Sequence, residues 1–213
     1  KYFHCRDQIL IYSKLILLLF FFLFLQCLFH NLRDKFENQI TLGAKGIVGT
    51  IMTNKGLEIA LNKMGVELIR SDVGDKFVLQ KLEELGWDLG GEQSGHIICL
   101  DASNTGDAII AAIKFLEAYI CSELSLDRIL EPMKKYSQIL SKIETNDPEK
   151  ILKNKRFLKL INDISENLKN YDGRINVRPS GTEPLIRIMV ESKSEKQTKQ
   201  ASIELLNFAK KLI

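Results

Sequence analysis

Three short stretches of this 213-residue sequence gather the side chains that bind phosphate and sugar groups. The richest is Arg178-Pro179-Ser180-Gly181-Thr182-Glu183-Pro184. Ser180 and Thr182 offer hydroxyl donors, Gly181 permits close backbone approach and positive φ, and successive N–H groups can form an anion-holding concavity. Arg178 and Arg187 add planar guanidinium forks that match phosphate oxygens. The plainer alternative is a tight hairpin with exposed arginines. The second stretch is Gly90-Gly91-Glu92-Gln93-Ser94-Gly95-His96. Its flanking glycines allow a sharp turn from which Glu92 and Ser94 project, a carboxylate beside a hydroxyl suiting sugar hydroxyls, and His96 can exchange protons near neutral pH. A polar turn with a strand-capping histidine is the alternative. The third is Val73-Gly74-Asp75-Lys76, where Asp75 reads as a helix N-cap and Lys76 sits where a cation reaches a phosphate or assists proton transfer. Thr105-Gly106-Asp107 reads as a helix start.

The elements that must position these loops follow from periodicity. Apolar spacing predicts a strand over 46–52, a helix over 55–64 ended by Gly65, a strand over 66–70, a helix over 76–85, a strand over 96–100 and a helix over 107–121. Such alternation argues for an α/β domain with a largely parallel sheet, whose loops carry the chemistry. A connecting helix over 125–136, broken near Pro132, leads to a boundary near Glu131, and Asn146-Asp147-Pro148 reads as a turn. Beyond it, strands over 138–143, 174–178 and 185–191 and helices over 156–168 and 195–212 predict a small α+β domain with an antiparallel sheet. The division is thus an atypical segment 1–42, an α/β sugar-binding domain 43–130 and an α+β phosphate-binding domain 131–213.

Residues 1–42 stand apart. From Leu15 to Leu25 every residue is Leu, Ile or Phe, and the apolar stretch Ile9–Phe29 reaches spanning length only by including Ser13, Lys14 and Gln26. No small-residue cleavage site follows, which argues against a secretory signal. A membrane anchor, a buried helix of a larger protein and translated sequence foreign to the native fold remain open. The chain begins with Lys1, which reads as a fragment, a processed product or an incomplete gene model.

A net charge of +3 is too small to argue for nucleic acid as a partner. The charge is uneven: +2 over 1–42, −5 over 43–130 and +6 over 131–213, though most C-terminal lysines fall on expected helix surfaces. Cys5, Cys27, Cys99 and Cys121 are scattered and form no CxxC pair, which fits a reducing cytoplasm, with membrane attachment only if 9–29 spans.

Taken in order, IVGTIMTN at 47–54, VGDK at 73–76, GGEQSGHI at 90–97, TGD at 105–107 and RPSGTEPLIRIMVE at 178–191 resemble the bacterial phosphoglucosamine mutases, within the α-D-phosphohexomutase family. The resemblance covers Gly43 to Ile213 and implies the third and fourth of that family's four domains. It implies an enzyme of glucosamine 6-phosphate and glucosamine 1-phosphate interconversion, feeding UDP-N-acetylglucosamine and cell-wall synthesis. It also implies roles: Glu92 and Ser94 on sugar hydroxyls, His96 as general acid/base, and Arg178, Ser180, Gly181, Thr182 and Arg187 on the non-transferring phosphate. Lys76 stands where the family commonly has arginine, keeping charge but not the bidentate fork. The family's phosphoserine loop and its DGDxDR-like magnesium loop have no counterpart in the sequence. Magnesium is therefore expected of the full-length family, with ligands outside this chain. The expectation is a C-terminal half, inactive alone, with a phosphosugar substrate and a separate N-terminal half as partner. Another phosphohexomutase of mannose or glucose phosphates, or a non-catalytic sugar-phosphate module, are the alternatives.

Overall fold

The computed structural model describes residues 46–122 and 125–213. The apolar run at 9–29 lies outside the described residues. Among them, no helix is long and apolar enough to cross a membrane. The chain divides into two compact units between Lys134 and Lys135.

The first unit runs β1 (Gly46–Thr50), α1 (Lys55–Lys63), β2 (Glu67–Ser71), α2 (Asp75–Leu85), β3 (Leu89–Gly91), β4 (Ile97–Cys99), α3 (Ala108–Ser122) and α4 (Leu126–Leu130). The sheet order is β2-β1-β3-β4. β1 pairs in parallel with β2 and β3, whereas β3 and β4 form an antiparallel hairpin. Successive side chains of a strand face opposite ways, and β1, apolar up to its last residue Thr50, is buried on both sides. Its Ile47 meets Leu57 and Leu61 of α1, in a cluster that also includes Ala111 of α3 and Ile129 of α4. Its neighbour Val48 meets Val78 and Leu82 of α2 on the other face. This is an α/β/α layering.

Helix starts are set locally. The Asn54 side chain accepts from Gly56 N at 3.0 Å and caps α1. Asp107 Oδ1 accepts from Ile109 N at 2.7 Å and Ile110 N at 3.1 Å, fixing the start of α3 as expected. At α2 the expectation is corrected. The N-cap is Gly74, with φ 133, and Asp75 is the first helical residue, its carboxylate accepting from Lys76 N at 2.8 Å. Glycine takes the cap because the chain turns there through a conformation that L side chains rarely adopt. The connecting helix is also shorter than expected, ending at Leu130, before Pro132, which cannot supply the helical N–H.

The second unit runs β5 (Ser137–Glu144), α5 (Pro148–Leu152), α6 (Lys155–Lys169), β6 (Arg174–Pro179), β7 (Leu185–Ser192) and α7 (Glu195–Lys210). β7 is the central strand, antiparallel to both β5 and β6. The expected turn at Asn146-Asp147-Pro148 is instead the start of one helical turn, α5, with the Asp147 carboxylate accepting from Lys150 N and proline at the first helical position. Ile143, Ile186, Ile188 and Val190 meet Phe157, Ile164 and Leu168 of α6 and Leu205 and Ala209 of α7. The helices thus cover one face of this sheet.

Register assigns the opposite face in three rows. They are Gln138–Glu191–Arg174, Leu140–Met189–Asn176 and Lys142–Arg187–Arg178. The two faces predict different costs. Phe157, fully buried, should lose about 3–5 kcal/mol as Phe157→Ala. Leu140, 61% exposed, should lose no more than about 0.5 kcal/mol as Leu140→Ala. Chemical denaturation of both variants checks this.

Candidate functional site

Each unit carries one candidate site. In the first, the loop expected to read sugar hydroxyls is the tip of the β3–β4 hairpin. Glu92 N donates to His96 O at 2.8 Å and Gly95 N to Glu92 O at 3.0 Å, closing a turn in which Gly95 takes φ 108. Glu92, Ser94 and His96 alternate along the tip, so they converge. Ser94 Oγ lies 3.4 Å from Glu92 Oε2 and 3.4 Å from His96 Nδ1, and Glu92 Oε2 lies 3.5 Å from His96 Nδ1.

The Glu92 carboxylate is 7% exposed, and its two oxygens do different work. Oε1 accepts from Gly74 N at 2.7 Å, tying the hairpin to the Val73–Lys76 turn. Oε2 faces Ser94 and His96. A carboxylate oxygen has lone pairs for more than one donor, so Oε2 retains acceptor capacity toward a ligand hydroxyl. Lys76 is not drawn into this cluster: it is exposed, with its ammonium 4.8 Å from the centroid of the Phe77 ring. The backbone of its turn is anchored to Glu92, while the side chain swings outside.

In the second unit the Arg178–Pro184 loop joins β6 to β7. Ser180 N donates to Leu185 O at 2.9 Å, closing the loop at its base. Arg187 turns back toward it, with Nη2 3.3 Å and Nε 3.4 Å from Ser180 Oγ, and Nη2 also donates to the Glu183 carboxylate. Arg178 stands directly opposite Arg187 across the two strands. Thr182 is exposed at the tip.

Gly181 does not take the positive φ that the sequence suggested. Its φ lies outside the left-handed region, and a Cβ built on it would meet no heavy atom within 4 Å. Neither backbone strain nor packing asks for glycine. Gly90 of the hairpin is the contrast, since its Cβ would fall 2.7 Å from Val78 Cγ1 and 2.9 Å from Val48 O.

Among the described residues no three His, Cys, Asp or Glu side chains gather where one cation could touch them. These residues do not fit a magnesium site, and no step is derived through one. Two residues that sequence reasoning passed over stand beside Arg187: Glu183, as the carboxylate on it, and Lys142, as its β5 neighbour. The Pro-Ser-Gly-Thr-Glu spacing signals the first. Nothing short of strand register signals the second.

The chain is similar to proteins of known kind along most of its described length. It matches the phosphoglucomutase/phosphomannomutase alpha/beta/alpha domain III over residues 26–136 and the C-terminal domain of that family over 140–206. Among curated relatives, it is 40% identical over 169 residues to the phosphoglucosamine mutase of Hydrogenovibrio crunogenus, covering 79% of this chain and 38% of that protein. It is 42% identical to that of Tropheryma whipplei over 173 residues, or 81% of this chain and 38% of the relative. The chain therefore spans less than two fifths of the length of these relatives. Among solved structures, an N-acetylglucosamine-phosphate mutase in its substrate complex shares the fold with TM-score 0.70 at 19% identity, covering 91% of this chain and 43% of that one. The Aspergillus fumigatus N-acetylphosphoglucosamine mutase, solved with GlcNAc-6P and magnesium, does so with TM-score 0.66 at 16% identity over 92% of this chain and 46% of that one. With both its units matched in order, the chain belongs to the phosphoglucomutase/phosphomannomutase family and carries that family's third and C-terminal domains.

Proposed function

We propose that this chain is the substrate-recognition part of a phosphoglucosamine mutase, acting on glucosamine 6-phosphate and glucosamine 1-phosphate. On this reading the phosphoserine and magnesium loops come from a separate N-terminal half, and the protein works in the cytoplasm. The observation that carries it is the β6–β7 loop: Arg187 beside Ser180, Arg178 opposite, and a glycine between the two hydroxyl residues whose Cβ position is open. An open Gly181 beside two guanidinium forks suits a ligand that comes within contact of the backbone. Three phosphate oxygens can then share the forks, the Ser180 and Thr182 hydroxyls and loop N–H groups. The relatives named phosphoglucosamine mutase support the choice of amino sugar. Glu92 Oε2 and Ser94 supply acceptor and donor for sugar hydroxyls, with His96 beside them for proton exchange. Lys76 serves as a mobile cation on the anchored turn, free to leave Phe77 for a phosphate.

The first test is turnover. The chain alone, given glucosamine 6-phosphate, magnesium and a hexose bisphosphate, should form no glucosamine 1-phosphate in a coupled assay; adding the first two domains of a bacterial relative should restore it. Turnover by the chain alone would remove the split-function reading.

Calorimetry with glucosamine 6-phosphate tests the loop. Arg178→Lys keeps the charge and loses the fork, so affinity should fall while its salt dependence stays. Gly181→Val should leave the thermal midpoint near that of the parent, because among the described residues no atom lies within 4 Å of the new Cβ, and should abolish binding. Valine with binding intact would make the loop a hairpin only.

The two duties of Glu92 can be separated by substitution. Glu92→Gln keeps a carbonyl to accept from Gly74 N but changes the group facing Ser94 and His96. It should weaken sugar phosphate binding by about 1–3 kcal/mol with little change for inorganic phosphate. Glu92→Ala removes the anchor as well and should also lower stability. Equal losses for phosphate and sugar phosphate in the glutamine variant would refute a sugar role.

A further inference from the structure

The face of the second sheet away from the helices carries charged side chains in two of its three rows, and these two rows are not equally neutralised. In the Gln138–Glu191–Arg174 row, Glu191 is fully buried, Arg174 Nε lies 2.6 Å from its Oε2, and Gln138 Nε2 donates to its Oε1 at 3.3 Å. That row brings its own anion. The row four residues along, beyond Leu140–Met189–Asn176, holds Lys142, Arg187 and Arg178 in direct cross-strand register, three cations on three adjacent strands with no carboxylate among them. Directly opposed side chains have Cβ atoms about 4.5–5.5 Å apart, and like charges so placed repel. The partner supplied from elsewhere is Glu183, which reaches Arg187 alone from the loop. Among the described residues neither Lys142 nor Arg178 has a carboxylate within ion-pair distance.

A lone lysine on a strand is ordinarily just a solvated charge. Lys142 differs because the register holds its stem in the row of the two arginines, with the central one committed to Ser180 at the loop base. The geometry points to Lys142 as a third cationic ligand of the phosphate site, one that selects a doubly charged phosphate monoester over a singly charged one. This rests on the phosphate-site reading of the loop above. Three cations offset by the single Glu183 leave a net charge matched by a dianion. A phosphate monoester reaches that charge above its second pKa near 6 and falls to a monoanion below it. β5 thereby contributes to a site that the loop motif alone assigns to β6 and β7.

The experiment titrates glucosamine 6-phosphate into the full chain at low salt, at pH 8 and pH 5, for the parent, Lys142→Met, Lys142→Arg and Arg178→Lys. Lys142→Met should weaken binding about 3- to 10-fold at pH 8, with the loss shrinking at pH 5 and in high salt, and Lys142→Arg should restore it. Without ligand, Lys142→Met should raise the thermal midpoint by relieving repulsion, and the ligand-induced rise should be smaller than in the parent. Lys142→Met binding like the parent, while Arg178→Lys binds more weakly, overturns the inference and leaves the phosphate site standing. No binding by a folded parent overturns both.

Discussion

The pairing of Arg178 opposite Arg187 is the constraint around which the second unit is organised. Two guanidinium groups are held on adjacent strands by backbone hydrogen bonds that do not depend on their charge. The repulsion is tolerated because the helix-facing side of the same strands is apolar and tightly buried: Ile186, Ile188 and Val190 pack against α6 and α7. Sliding β6 by one residue to separate the arginines would turn the half-buried Ile175 and Val177 out of that core, at up to about 1.5–3 kcal/mol each. That exceeds the repulsion of two half-exposed cations whose charged ends reach solvent, about 1 kcal/mol in high dielectric. The core therefore wins, and the charge row remains available for an anion.

The first unit applies the same logic to a carboxylate. Glu92 is buried at the hairpin tip, where an unpaired charge would be costly. Gly74 N satisfies one oxygen, so Glu92 is a structural tie between two loops and a chemical group at once. The turn it holds places Lys76 at the start of α2 without using its side chain. Because β2 and β3 both run parallel to β1, the turns that leave them gather at one edge of the sheet, where α/β folds present their ligand-binding residues.

Much of this was legible in the sequence, for physical reasons. α6 and α7 bury one stripe each, so a helical period marked them. β1 is buried on both sides and reads as a continuous apolar run. The misreadings concern residues whose types serve two local structures. Asp147-Pro148 suits a turn and also a capped helix start; the structure uses the second, a single turn too short to show a period. Asp75 is a good cap by type, yet the chain direction at Gly74 demands φ 133, and glycine takes the position. Lys142 was invisible because strand alternation says which residues share a face but not which residues of other strands stand beside them.

What separates functional from structural residues here is whether the fold needs them. Gly90 is required by Val78 and Val48, and Gly74 by its φ, so neither says anything of a ligand on its own. Gly181 is required by nothing among the described residues. The Lys142–Arg187–Arg178 row is worse than unneeded, since its like charges repel, a cost that the Gln138–Glu191–Arg174 row avoids by enclosing Glu191. Local choices that conflict with the fold persist where something outside the fold compensates them. In this chain both features fall on one loop and the strands that carry it, and the proposed phosphate dianion would answer both: it would occupy the space above Gly181 and supply the charge that the row lacks.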